Sequence, residues 1–113
     1  MNLMVAGTND RDMSIVANRI AELGGGYVVA QNGDIIGELP MPLLGLFANE
    51  SVEQVVDKLK VINWAIKEKL GTTFPGLYTA IAFVCLAVSI PKLKVCDKGL
   101  ADISKMELVN ILV

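Results

Sequence analysis

The chain has 113 residues, of which 53% are apolar and 19% charged, with 10 basic against 12 acidic side chains for a net charge of −2. That length suits one domain and excludes a whole (β/α)8 barrel of about 250 residues, while the composition is the reverse of a disordered segment's. No basic excess exists to neutralise phosphates, so nucleic acid is not an expected partner. No apolar run approaches the roughly 18 residues of a membrane span, so no membrane partner is expected either.

In chain order, Leu3-Met4-Val5-Ala6 predicts a short buried strand stopped by Gly7. Thr8 or Asn9 can cap the helix that follows, with Asp10 and Asp12 in its first turn where the helix dipole favours negative charge. Met13, Val16, Ala17, Ile20 and Leu23 recur at helical spacing, and Gly24-Gly25-Gly26 ends the run. Tyr27 to Gln31 and Ile35 to Leu39 flank Asn32-Gly33, the strongest short-range hairpin signal. Pro40 and Pro42 then forbid regular pairing and predict an extended segment.

Ser51 to Gln54 matches a capping box, and the stripe Val52, Val55, Val56, Leu59, Ile62, Ile66 and Leu70 predicts a second helix ended by Gly71. Val55, Val56, Leu59, Ile62 and Ile66 are expected to be its buried face. Leu77 to Ile90 is almost wholly apolar, and the β-branched Ile81, Val84 and Val88 favour a buried strand. Leu93 to Cys96 predicts a strand before an Asp97-Lys98-Gly99 turn, and Met106 to Val113 a closing strand. The expected fold is α+β, a single compact domain over residues 1–113 with two helices packed on a mixed β-sheet.

Histidine is absent, which removes His-based triads, His proton shuttles and the common mixed zinc sites. Cys85 and Cys96 do not form a Cys-x-x-Cys pair, and with no signal peptide in sight they read as reduced thiols of a cytoplasmic protein. Gly7-Thr8-Asn9-Asp10 stands between a strand and a helix, where phosphate loops occur. It has one glycine, no lysine and nearby carboxylates, so it reads as helix capping. Gly24-Gly25-Gly26 follows a helix and lacks dinucleotide-loop spacing. Asp10 and Asp12 could in principle pair for acid–base work or hold a hard cation, but dipole partnership accounts for them. Asp97 and Asp102 are expected to shape a turn, and Trp64 to serve packing. No catalytic, cofactor-binding or metal-binding residue is expected in this chain.

The remaining anomaly is apolar surface. Leu39, Pro40, Met41, Pro42, Leu43, Leu44, Leu46 and Phe47 place large apolar side chains on a segment that the prolines keep out of a sheet interior. These residues are expected to form an interface, through which the isolated chain would self-associate.

Several motifs in register carry the reading further. They are Asn2 with Gly7-Thr8-Asn9-Asp10 and Asp12-Met13; Asn18-Arg19-Ile20 leading into Gly24-Gly25-Gly26; Glu38-Leu39-Pro40-Met41-Pro42-Leu43 with Gly45-Leu46; and Ile90-Pro91, Leu93-Lys94, Asp97, Gly99-Leu100 and Asp102. Their order and spacing resemble the C-terminal domain of the adenine deaminases, metal-dependent enzymes of the amidohydrolase class. The resemblance implies participation in hydrolytic deamination of adenine to hypoxanthine and ammonia. It also implies a divalent metal of manganese or iron type, which lowers the pKa of its water and is held on an amidohydrolase barrel outside this chain. This chain alone is then expected to be inactive. Its expected role is structural, walling the pocket or supporting a homo-oligomer, with that barrel as its partner. The alternative is a free-standing small-molecule-binding or regulatory module.

Overall fold

The structure, a computed structural model, describes residues 3–85, 92–96 and 98–110, with only the backbone described at residue 85. The chain divides into two compact units, Val5–Leu77 and the remainder.

The first unit opens with helix α1, Asp10–Leu23. Asn9 caps it, its side chain accepting from the Asp12 amide at 2.8 Å, and Gly24 closes it in a left-handed conformation. Strands β1 (Gly26–Gln31) and β2 (Asp34–Pro40) form an antiparallel hairpin around Asn32-Gly33, both in positive φ as the expected tight turn requires. A register shift between Val29 and Ala30 places a bulge in the hairpin.

Helix α2, Val52–Trp64, begins with the expected capping box: Ser51 and Gln54 satisfy each other's backbone amides. It runs on into a π-helical turn, Ala65–Lys69. Both helices pack on the hairpin. Alternation along β2 sends Leu39 and Gly37 towards α2 and Glu38 towards α1.

The core of this unit is Val29, Leu39, Ile62 and Ala65, bordered by half-buried Tyr27, Met41, Val55, Leu59 and Ile66. Two expectations are corrected here. Val56 is 42% exposed, because it lies further round α2 than the arc the hairpin covers. Leu39 is fully buried, because β2 continues to Pro40 and carries it under α2.

In the second unit, Leu77–Cys85 is helix α3, and not the strand expected over Leu77 to Ile90. Its run lacks any polar alternation, Ala80 and Ala82 favour helix, and the sheet of this unit is completed by local hairpins. Residues 86–91 lie outside the described set, as do Asn2, Asp97 and the last three residues.

Strands β3 (Leu93–Cys96), β4 (Gly99–Asp102) and β5 (Glu107–Val109) make an antiparallel meander in the order β3-β4-β5. Strand β4 was not foreseen, and β5 is shorter than the expected Met106 to Val113. The α+β class is as expected; among the described residues the sheets are two small antiparallel ones, where a single mixed sheet was expected. Leu3 to Ala6 belongs to no strand, since no neighbour pairs with it among the described residues, and Leu3 is 54% exposed.

Candidate functional site

The charged groups of the first unit mostly hold its own elements together. Asp12, in the first turn of α1, accepts the Gly33 amide at 2.8 Å and the Asn32 amide at 3.0 Å, and takes a third bond from the Asn9 side chain. The Asn9 side chain and the Gly33 amide hold its carboxyl below the usual carboxylate range. Both oxygens of Asp12 are therefore engaged in pinning the hairpin turn to α1, which leaves no paired-carboxylate site with Asp10.

Arg19 forks onto Glu38, its Nε donating to Oε2 at 2.9 Å and its Nη2 to Oε1 at 3.0 Å, while Nη1 reaches Glu22 at 3.0 Å. This bidentate pair joins α1 to β2 and holds the Glu38 carboxyl below its ordinary pKa. An open depression of about 580 Å³ lies beside it, lined by Arg19, Glu22, Ile35, Ile36, Gly37 and Glu38. Because the guanidinium is already committed to two carboxylates, the depression presents an ion-paired surface. Neither clamp was read from the sequence, since partners separated by some 20 residues leave no periodic signal.

A carboxylate whose pKa is depressed on folding stabilises the fold above its unfolded pKa and loses that contribution as pH falls through the lower folded value. Glu38→Gln is therefore expected to lower the urea midpoint modestly at pH 7, since each side chain is about a third exposed. In acid, below the folded pKa of Glu38, the difference should vanish. Urea titrations of both proteins at the two pH values check this.

Asp102 accepts from the Ser104 hydroxyl at 2.6 Å and from the Ser104 amide at 3.0 Å, so it shapes the β4–β5 turn. Cys96 is a free, half-buried thiol. Trp64 is half exposed, with the Lys69 ammonium 5.1 Å from its ring centroid. Among the described residues no three His, Cys, Asp or Glu side chains converge. They therefore do not fit the divalent metal implied above. No helix among them is long and apolar enough to cross a membrane.

Of the expected interface residues, Leu39 belongs to the core and Pro40 to the hairpin. Leu43, Leu44, Leu46 and Phe47 are 60%, 80%, 47% and 60% exposed.

Fold and geometry define an α+β module whose principal charged clamps, at Asp12 and at Arg19–Glu38, tie α1 to the hairpin. The chain belongs to the adenine deaminase C-terminal domain family, whose model matches residues 1–107. It is 45% identical over 112 residues to an adenine deaminase of Thermosipho melanesiensis, covering 99% of this chain and 19% of that protein. The adenine deaminase of Kosmotoga olearia is 39% identical over 112 residues, with the same shares. That of Staphylothermus marinus is 42% identical over 111 residues, 98% of this chain and 18% of its own. The chain thus spans about a fifth of the length of these relatives.

Proposed function

We propose that residues 1–113 act as one domain, the C-terminal domain of a cytoplasmic adenine deaminase that hydrolyses adenine to hypoxanthine and ammonia. The observation that carries this is the match to adenine deaminases over nearly all of this chain and only about 19% of theirs. Catalysis belongs to an amidohydrolase barrel in the other four-fifths, where a divalent metal of manganese or iron type supplies an activated water. The domain's own role is structural: its clamped helix–hairpin unit packs on the barrel, walls the purine pocket and supports the oligomeric enzyme.

The test is a hybrid in which this chain replaces the matching 112 residues of the Thermosipho melanesiensis enzyme. Ammonia release from adenine is expected from the hybrid. None is expected from the purified 113-residue chain with added Mn²⁺ or Fe²⁺. Metal-dependent turnover by the chain alone, or a folded hybrid without activity, refutes the proposal.

A further inference from the structure

Residues 41 to 47 form a tight loop that is firmly attached to the rest of its unit. The Met41 amide donates to the Gly25 carbonyl at 2.9 Å, and the Leu46 and Phe47 amides both donate to the Leu43 carbonyl, at 3.0 and 3.2 Å. Leu43 and Phe47 also pair as an isolated bridge. The loop lies so close to the glycine turn after α1 that a Cβ on Gly25 would stand 2.6 Å from the Gly45 Cα. This close approach is what that glycine permits.

On this base stands an apolar knob. Leu44 has a φ of +58° and is 80% exposed, so a strained backbone position carries a large apolar side chain into solvent. Asparagine or glycine would suit that backbone better, and water would suit a polar side chain better. Nothing in the stability of this unit accounts for leucine there. Leu43, Leu46 and Phe47 flank it, and no residue from 41 to 47 is charged.

We infer that the knob of Leu43, Leu44, Leu46 and Phe47 docks into an uncharged, apolar recess on the catalytic portion of the same polypeptide. This rests on the reading of the chain as the C-terminal domain of a longer enzyme. Size selects that occupant over a second copy. A stable pairing of two free proteins buries about 800 Å² on each, and these four side chains offer on the order of half that. A partner in the same chain needs far less, because tethering sets an effective concentration in the millimolar range. The relatives carry about four-fifths of their length outside the region matched here, which supplies such a partner.

Leu44→Asn, alone and with Phe47→Gln, tests the inference. Asparagine tolerates the left-handed backbone, so the isolated variant chain is expected to melt at or above the wild-type temperature. In the Thermosipho melanesiensis hybrid the same variants are expected to speed protease cleavage at the junction about tenfold. An unchanged cleavage rate overturns the docking assignment. A dimer of the isolated wild-type chain in sedimentation, lost in the variants, overturns it too, since a second copy then occupies the knob. If the double variant fails to fold, Leu44→Asn decides alone. A hybrid that is inactive but resists cleavage refutes the functional reading and leaves docking supported. An active wild-type hybrid cleaved at the variant's rate refutes docking alone.

Discussion

Replacing Ile62 or Leu39 by alanine is expected to lower the unfolding free energy by about 2–5 kcal/mol. Both side chains are essentially inaccessible, at 0% and 1%, and they meet in the cluster that joins α2 to the hairpin. Removing the outer carbons of either loses the transfer free energy of those atoms. It also leaves a cavity that the clamped hairpin cannot close, since β1 and β2 are held from the other side by α1. Leu59, which is half-buried at the border of the cluster, is expected to cost less than either. Fluorescence of Trp64, the single tryptophan and a residue of α2, reports on this unit specifically during urea unfolding. A change below about 1 kcal/mol for Ile62→Ala would show that the cluster does not hold the unit together.

Gly26→Ala is expected to be comparably severe, about 3 kcal/mol or more, as a strained backbone of about 1–3 kcal/mol is compounded by a collision. Gly26 has a φ of +131°, and a Cβ there would fall on the Leu39 carbonyl oxygen, with the Met41 amide nitrogen at 3.0 Å. The substitution must therefore push apart the Gly26–Pro40 end of the hairpin, which also positions buried Leu39. Gly71→Ala is the control. Its φ is also positive, at +67°, but nothing lies within 4 Å of the added carbon. Only the left-handed backbone penalty of roughly 1–2 kcal/mol then applies. Equal losses from the two variants, measured by urea unfolding, would show that backbone conformation and not the close approach governs Gly26.

The elements that could be read from the sequence are those specified by neighbours in the chain. The cap at Asn9, the stop at Gly24, the Asn32-Gly33 hairpin and the Ser51–Gln54 capping box all involve partners within a few residues, and each is present. The run from Leu77 to Ile90 misled because a segment with only Thr79 and Ser89 as polar breaks has no period to distinguish helix from strand, and its three alanines weighed less than its β-branched residues. The structure makes Leu77–Cys85 a helix. Strand β4 escaped notice because Gly99–Asp102 is four residues long and becomes a strand by lying between β3 and β5.

The surface was harder to read than the elements. Composition pointed to apolar exposure in the segment from Leu39 to Phe47, and the family motifs identified the kind of domain. Which side chains are exposed depended on where β2 ends. Because pairing with Gly26 carries the strand to Pro40, Leu39 turns inward, and the exposed set narrows to the loop beyond Met41. The Asp12 and Arg19–Glu38 clamps were likewise decided only when α1 came to rest against the hairpin. The sequence by itself determined the helix caps, the hairpin turn, the apolar excess and the family, because capping, turn chemistry and ordered motifs act over short spans. The tertiary structure alone decided which carboxylates are engaged and which leucines are exposed, because both follow from packing between segments that the chain brings together only on folding.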